Sequence, residues 1–338
     1  MSDLCSKTGI YGTKLTGIYS NKAMKIIKDW NLDVIHSQTE FSIGYFSRIV
    51  AKKLNIPVVH TYHTLYEDYV HYITHGHFNN AAKKLAIKIT KYYCEKHCDE
   101  LIVPTEKIKE LFINKYNIKK NINVIPTGID IDKFSLNSKM KENITKIKAK
   151  YNLSDDDFLI GSVGRIAPEK SFDKLISTMT TLVKENKNIK LMLVGGGPDI
   201  DSLKELTKKL NLTNNVIFTD KVLYDQVPSY YNLFNVVASF SKTETQGLTI
   251  IEGLASSKPT LCINDESFKA TIIPNYNGYL FNSDKEFIDD ILKLLTNKKL
   301  YKEMSTNAKN STYKYSKEVF ASDILKVYHK AIEKKIED

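Results

Sequence analysis

Short runs of β-branched and apolar residues alternate with longer amphipathic stretches along most of this chain. Such alternation is typical of parallel sheets whose strands are connected by helices. The predicted strands are 33–38, 58–63, 100–105 and 122–128 in the first half, and 158–164, 189–196, 216–220, 236–241 and 260–264 in the second. A chain of 338 residues is also long for a single hydrophobic core. The pattern therefore predicts two Rossmann-like α/β domains.

A polar segment rich in Lys, Asn and Ser leads up to residue 150 and marks the predicted domain boundary. We assign residues 1–145 to an N-terminal domain and residues 146–314 to a C-terminal domain. Residues 315–338 have apolar side chains at helical spacing, which predicts a closing helix that packs back toward the N-terminal domain or, alternatively, a plain surface helix. The N-terminal domain looks truncated, because residues 1–20 lack the apolar run expected of a first strand.

Composition indicates a reduced, cytoplasmic protein. The chain has no apolar run of about 18 residues, which a spanning helix would need, and no apolar leader segment. Its four cysteines are few and scattered, which favours free thiols over a disulfide framework. Two clusters resemble metal ligands but lack a complementary ligand; they are Cys94 with His97 and Cys98, and His71 with His75 and His77. We therefore expect no metal site.

The positive charge is concentrated in the first half of the chain. Net charge is +10, and residues 1–140 carry 20 basic and 13 acidic side chains. Nucleic acid, an anionic membrane surface and phosphate-bearing ligands are all partners that suit such a charge. We expect no nucleic-acid binding, because the sequence shows neither an aromatic-interleaved basic strand nor a recognised helix motif.

One predicted helix of the basic half, over residues 79–97, is amphipathic. Its apolar positions Leu85, Ile89 and Tyr92 lie on one face, and Lys84, Lys88 and Lys91 lie on another. Such a helix can rest on anionic lipid, so the three lysines are candidate membrane-facing residues. Alternatively, it is a domain helix whose apolar face packs on the sheet, and the two interpretations are compatible.

Two cations follow the first predicted strand of the second half. That strand ends at Gly164, Arg165 and Lys170 lie on the connecting loop, and a helix begins near Ser171. Fixed cations beside helix-terminal amides, at the carboxyl end of a strand, form a site for a diphosphate. The alternative is a solvated loop. The glycine run in 193–206 either lets backbone approach the same ligand or simply makes a tight turn.

A second polar loop leads into a helix that begins around Gly247. The amides of Gly247, Leu248 and Thr249 should point at the carboxyl edge of the sheet. Glu252, on the first turns of the helix, can accept hydrogen bonds from a ligand diol, and Glu244 can reach the other end of that ligand. The spacing fits a nucleotide sugar. The alternative is that Glu252 complements the helix dipole and Glu244 is solvated.

The segments VGRIAPEK, LMLVGGGPD, SKTETQGLTIIEGLASSKP and YNGYLF resemble the family 4 retaining glycosyltransferases, over roughly residues 30–332. The E-x7-E motif of that family matches Glu244 and Glu252. The resemblance implies the GT-B fold, two Rossmann-like domains with a cleft between them. It also implies that Arg165 and Lys170 hold the donor diphosphate, Glu252 the ribose and Glu244 the transferred sugar. No tightly bound metal is expected, because the cations can neutralise the leaving group.

Within the family, VVHTYHTLYEDYVHY resembles a segment of bacterial 1,2-diacylglycerol 3-glucosyltransferases, and His63 matches the active-site histidine. The resemblance implies transfer of a hexose, glucose from UDP-glucose, to diacylglycerol with retention, by front-face attack. His63 and Glu244 are then the catalytic candidates, and the enzyme is peripheral on the inner face of the cell membrane. The alternatives are another envelope glycan or lipid acceptor, or a truncated non-catalytic nucleotide-sugar-binding protein.

Overall fold

The computed structural model describes residues 19–40, 42–65 and 79–337. The chain divides into two compact units, one comprising Met1–Ile125 with Ser322–Asp338 and the other Pro126–Ala321. Among the described helices, none is both long enough and apolar enough to cross a lipid bilayer. Two predictions concern segments outside the described residues. The missing first strand was predicted for residues 1–20, of which 1–18 are not described. The group of His71, His75 and His77 lies within 66–78, which is not described either.

The first unit is built on a parallel sheet, whose described strands follow the order β1-β2-β3-β4. Its elements are α1 (Asn21–Asp29), β1 (Ile35–Ser37), α2 (Ser42–Leu54), β2 (Val58–Thr61), α3 (Asn79–Lys91) with a π-helical turn (Tyr92–Lys96), β3 (Glu100–Val103), α4 (Glu106–Asn114) and β4 (Ile122–Val124). β3 is fully buried, as expected of a central parallel strand covered on both faces. The four strands predicted for this half are confirmed.

The second unit, described throughout, contains a six-stranded parallel sheet in the order β10-β9-β8-β5-β6-β7. Its strands are β5 (Phe158–Val163), β6 (Ile189–Val194), β7 (Val216–Phe218), β8 (Val236–Ser239), β9 (Thr260–Ile263) and β10 (Gly278–Phe281). The helices are α5 (Ser138–Tyr151), α6 (Phe172–Glu185), α7 (Ile200–Lys209), α8 (Val227–Leu233), α9 (Leu248–Ala255), α10 (Glu266–Lys269), α11 (Asp284–Thr296), α12 (Lys298–Asn310) and α13 (Lys317–Glu337), whose last part belongs to the first unit. The sheet is doubly wound, and its strand order reverses between β5 and β8.

Five strands of this sheet confirm the prediction, and β10 is an addition to it. Gly278–Phe281 holds no β-branched residue, so its sequence gives only a weak strand signal. It pairs in parallel with β9, where Gly278 lies opposite Thr260. A Cβ at Gly278 would lie 1.9 Å from the Thr260 carbonyl oxygen, which explains why this strand starts with glycine.

The division between the units lies at Ile125 and Pro126, whereas the boundary predicted at residue 145 falls inside α5. The reason is hydrophobic packing. Phe134 and Ile147 are buried in the core of the second unit, in the same cluster as Tyr231. The polar character of this segment comes from the exposed side of α5 and says nothing about its buried side.

The end of the chain, Ser322–Asp338, packs with the first unit. The Tyr328 hydroxyl lies 2.8 Å from Nδ1 of His36, and Lys330 forms an ion pair of 2.9 Å with the buried carboxylate of Glu100. These are contacts expected of a closing helix that returns to the N-terminal half.

Candidate active site

The carboxyl ends of β5, β6 and β8 meet at one edge of the second sheet, and the loops that follow these strands carry the predicted donor-binding residues. β5 and β8 flank the point where the strand order reverses. In doubly wound sheets this point opens a crevice that binds ligands. The topology thus brings Arg165, Lys170, Glu244 and Glu252 to one edge, although they are widely separated in the sequence.

The glycine run after β6 supports the loop that carries Arg165. Gly164 and Gly195 have φ angles of +150° and +142°, which favour glycine. A Cβ at Gly195 would lie 1.9 Å from the Gly164 carbonyl oxygen, and one at Gly197 would lie 2.0 Å from that of Ile166. The two loops therefore pack backbone against backbone. This run is more than a tight turn, because its missing side chains leave room for the neighbouring loop.

Both predicted phosphate-binding cations are paired with carboxylates. Nη2 of half-exposed Arg165 lies 2.5 Å from Oε1 of Glu169, and Nζ of Lys170 lies 2.5 Å from Oε1 of Glu244. Sequence reasoning missed Glu169, although its position four residues after Arg165 was a usable signal. Lys170 ends a short 3-10 helix, Pro168–Lys170, so the cation is held close to the strand end.

Helix α9 places the second glutamate. Gly247 is its N-cap with a φ of +77°, and a Cβ there would lie 2.6 Å from the ring of Phe268, so only glycine fits. Leu248 and Thr249 form the first turn. Glu252 is 9% exposed, and its Oε2 accepts a hydrogen bond of 2.9 Å from the Tyr231 hydroxyl.

Glu252 is poorly solvated for a carboxylate. Burial raises the pKa of Glu252 to about 6, although the hydrogen bond from Tyr231 and the charge of Lys133 act in the opposite direction. The hydroxyl of fully buried Tyr231 also lies 2.9 Å from the carbonyl oxygen of Thr249. The single hydroxyl proton of Tyr231 can be donated to only one of these two oxygens at a time. A protonated Glu252 would donate to the Tyr231 hydroxyl, which could then donate to the Thr249 carbonyl oxygen. Sequence reasoning missed Tyr231, because no local pattern links it to Glu252.

Binding of UDP-glucose, the donor that the sequence resemblance implies, should weaken as the pH falls through about 6. Above this pKa the ionised carboxylate of Glu252 can accept charge-assisted hydrogen bonds from ligand hydroxyls, and below it protonation removes that charge. The dissociation constant measured by calorimetry should rise severalfold, roughly, between pH 7 and pH 5. UDP-glucose suits this titration because each of its phosphates has a single, strongly acidic hydroxyl and stays ionised across the window.

The matched control for this titration is Glu252→Gln, which keeps the shape of the side chain and cannot ionise. Its UDP-glucose affinity should be lower and nearly independent of pH in the same window. An equally steep pH dependence in the variant would assign the titration to another group.

The predicted histidine lies in the first unit, just beyond β2. Nε2 of His63 lies 3.0 Å from Oε1 of Gln38. Since a carboxamide oxygen only accepts, this contact places the ring proton on Nε2. Burial lowers the pKa of His63, with the charge of Glu40 opposing and that of His60 assisting. The imidazole is therefore neutral at neutral pH, as expected for a group that donates a hydrogen bond.

A buried polar cluster that sequence reasoning missed lies next to His63. Nε2 of His60 lies 2.9 Å from Oε1 of Glu40, and its Nδ1 lies 2.9 Å from the Ser37 carbonyl oxygen. Buried Arg48 donates to the side chain of Ser37 and to the Gly44 carbonyl. Such a network fixes the carboxyl ends of β1 and β2, from which Gln38 and His63 extend.

Helix α3 exposes both predicted faces. Leu85, Ile89 and Tyr92 are 57%, 43% and 40% exposed, so the alternative in which these side chains pack on the sheet is wrong. The partly buried Ile87 packs against the core instead. The buried stripe of α3 is therefore rotated about the helix axis relative to the predicted apolar stripe. Two of the candidate lysines, Lys84 and Lys88, are exposed.

Lys91 is engaged within the first unit. Its Nζ donates to the Asn117 carbonyl oxygen at 3.0 Å and lies 3.6 Å from the carboxylate of Glu95. The described residues contain no group of three His, Cys, Asp or Glu side chains arranged to hold a metal ion. Cys94 and Cys98 are buried in and beside the π-helical turn, where the Cys98 thiol donates to the Cys94 carbonyl oxygen.

Comparison with solved structures identifies the fold. The crystal structure of Anabaena Alr3699/HepE in complex with UDP-glucose matches with a TM-score of 0.74 at 17% identity, over 91% of this chain and 81% of that one. The two parallel-sheet α/β units are those of the GT-B glycosyltransferase fold.

Two family models match the sequence. One, described as Glycosyltransferase Family 4, matches residues 10–133, and the other, described as Glycosyl transferases group 1, matches residues 143–311. An alpha-monoglucosyldiacylglycerol synthase of Acholeplasma laidlawii is 35% identical over 94% of this chain and 80% of its own length. One of Streptococcus pneumoniae is 34% identical over 81% of this chain and 62% of its own. The chain belongs to glycosyltransferase family 4 and is an enzyme of the hexosyltransferase class.

Proposed function

We propose that this glycosyltransferase transfers glucose from UDP-glucose to diacylglycerol with retention of the anomeric configuration. The observation that carries the proposal is the convergence of two cations, Arg165 and Lys170, with Glu244 and Glu252 at the carboxyl edge of β5 and β8. That set matches the charges and hydroxyls of a nucleotide sugar. The Anabaena structure, which holds UDP-glucose, and the two monoglucosyldiacylglycerol synthases support the choice of donor and acceptor.

In this mechanism the diphosphate replaces the carboxylates of Glu169 and Glu244 as the ion-pair partner of the two cations. Arg165 and Lys170 neutralise the phosphates, and Gly164 with the first turn of α9, Gly247 to Thr249, lets backbone amides approach them. Glu252 accepts hydrogen bonds from the ribose hydroxyls. Glu244, released from Lys170, accepts hydrogen bonds from the hydroxyls of the transferred sugar.

Bond breaking follows a front-face course. The bond between the anomeric carbon and the β-phosphate oxygen breaks, and its electron pair stays on that oxygen. The acceptor hydroxyl attacks from the same face and gives its proton to a leaving-group oxygen, so no protein nucleophile is required. We assign to neutral His63 the role of a hydrogen-bond donor to the leaving group, with its Nε2 proton exchanged from Gln38 to a phosphate oxygen. We propose that the reaction needs no tightly bound metal, because Arg165 and Lys170 carry the compensating charge.

A transfer assay with the purified full chain tests this proposal. Radiolabelled UDP-glucose is supplied with vesicles that contain diacylglycerol, and product configuration is read from the anomeric coupling constant. An α-glucosyldiacylglycerol is the expected product. Transfer to a soluble sugar or another lipid, and not to diacylglycerol, would overturn the acceptor. UDP-glucose binding with no transfer to any acceptor would instead favour a binding protein.

We further propose that helix α3 attaches the enzyme to the cytoplasmic face of an anionic membrane. Exposed apolar side chains next to exposed lysines are the features of an interfacial helix. Each lysine near an anionic surface contributes about 1 kcal/mol. Replacing Lys84 and Lys88 with glutamate should therefore reduce affinity for vesicles rich in phosphatidylglycerol by at least about thirtyfold, measured by co-sedimentation.

The matched control reverses the charge of two exposed lysines in the second unit, Lys184 and Lys187. That variant should keep vesicle binding within about threefold, because the same net charge is lost away from α3. Equal losses in the two double variants would show that overall charge, and not this helix, governs binding. Replacement of Leu85 and Ile89 with serine should weaken binding at high salt as well, since apolar insertion is not screened.

A further inference from the structure

The side chain of Gln246 binds the backbone of one distant residue at two points. Gln246 lies between Glu244 and Gly247 and is 4% exposed. Its Oε1 accepts from the Thr127 N–H at 2.8 Å, and its Nε2 donates to the Thr127 carbonyl oxygen at 3.1 Å. The carboxamide thus reproduces the donor and acceptor pattern of a neighbouring strand. It binds the loop of the E-x7-E motif to the first residues of the second unit.

Thr127 belongs to a segment that is itself held tightly. Residues 127–130 follow the point where the chain enters the second unit, and residues 315–320 precede the point where it leaves. The Ile129 N–H donates to the Tyr315 carbonyl oxygen at 2.8 Å. A Cβ at Gly128 would lie 2.5 Å from Cβ of Phe320. We call these two stretches the connecting segments.

An ion pair completes the attachment between the connecting segments. Nζ of Lys317 lies 3.1 Å from Oδ2 of Asp130. Ile129 also forms a parallel bridge with Ser316. Both stretches through which the chain passes between its units are therefore bound to each other, and Gln246 binds them to the loop that carries Glu244.

Two of the contacts that hold the Glu244 loop respond differently to the donor. One is the ion pair of Glu244 with Lys170, which the diphosphate displaces in the mechanism above. The other is the contact of Gln246 with Thr127, which involves no donor-binding group. After the ion pair is exchanged, the Gln246 contact still fixes the loop. Gln246→Ala would leave both Thr127 groups without this partner, and Gln246→Glu would place a carboxylate against the Thr127 carbonyl oxygen.

We propose that Gln246 is a positioning residue, which holds Glu244 against the transferred sugar and makes its position depend on the connecting segments. This inference rests on the proposed role of Glu244 as the group that binds the sugar of the donor. Gln246 itself contacts neither the sugar nor the diphosphate in this assignment.

The test compares Gln246→Glu and Gln246→Ala with the wild-type chain by calorimetry, using UDP and the UDP-hexose that binds the wild type most tightly. Affinity for UDP should stay within about twofold. Affinity for the UDP-hexose should fall by about tenfold, the effect of losing one positioned hydrogen-bonding group. Glu244→Gln should show the same selective loss. This readout requires neither turnover nor an acceptor, so failure to glycosylate diacylglycerol leaves it intact.

Hydrogen exchange supplies the second readout. The Thr127 amide should exchange about tenfold faster in both variants, whereas the Ile129 amide should be unchanged. Gln226→Glu is the matched control, because it makes the same charge change at an exposed position of the same unit and should alter neither quantity. Faster Thr127 exchange with an unchanged ratio of UDP-hexose to UDP affinity would reduce Gln246 to a structural contact and overturn the proposal. Unchanged exchange at Thr127 would overturn it as well.

Discussion

Replacing Glu252 with alanine is expected to weaken UDP-glucose binding by at least about tenfold. A charge-assisted hydrogen bond to the ribose diol contributes roughly 1.5 to 3 kcal/mol, and about 1.4 kcal/mol corresponds to a factor of ten. The substitution also removes one of the two acceptors that face the hydroxyl of fully buried Tyr231. Calorimetry at pH 7.5 measures the effect, because Glu252 is ionised there.

The control for this prediction is Glu205→Ala, which removes an exposed glutamate from α7 of the same unit. It should leave UDP-glucose binding unchanged. Arg165→Ala should weaken binding comparably to Glu252→Ala, since the guanidinium is assigned to the diphosphate. Unchanged donor binding in both Glu252→Ala and Arg165→Ala would show that the donor site lies elsewhere.

Replacing Gly197 with alanine should both destabilise the second unit and weaken donor binding. The added Cβ would lie 2.0 Å from the Ile166 carbonyl oxygen, so the loop that carries Arg165 has to move. Overpacking of this kind costs about 1–3 kcal/mol of the free energy of unfolding. The midpoint of thermal unfolding should fall by several degrees, roughly, and UDP-glucose affinity should fall with it.

Gly196→Ala is the matched control in the same glycine run. A Cβ at Gly196 would lie 2.7 Å from Cγ of Lys221, so a side chain has to shift, whereas at Gly197 the backbone itself has to shift. Thermal unfolding and calorimetry on both variants separate the two cases. Equal losses at the two positions would mean that the run acts only as a flexible turn.

Much of the fold was predictable, because the strands of a doubly wound sheet are buried on both faces and read as apolar runs. β5 and β6 show this clearly. β10 escaped because its four residues include a glycine and no β-branched side chain. The predicted domain boundary lies further along the chain than the observed one, because a helix with a polar exposed side was interpreted as a linker. Lysines, most of them exposed, dominate the composition of α5, while Met140 and Ile147 are buried.

The meeting of the two cations and two glutamates at one sheet edge was also predictable. Parallel strands bring their carboxyl ends to one edge, so motifs after β5 and β8 meet there whatever their separation in sequence. Tyr231 and Gln246 were not, because each acts through a single tertiary contact that leaves no periodic or local pattern. Helix α3 shows a third case: periodicity identified its apolar positions, but it did not identify which stripe the core would cover.

The ion pairs of Arg165 with Glu169 and of Lys170 with Glu244 bear on what happens between turnovers. In the proposed mechanism, the two carboxylates return to the cations when UDP departs, so release does not leave two unpaired positive charges behind. The same pairing screens the empty site against small anions such as orthophosphate. These must displace a carboxylate without the ribose and sugar contacts that help UDP-glucose to do so. In the proposed mechanism, selectivity for the whole donor over orthophosphate therefore originates in two carboxylates that do not contact the phosphates.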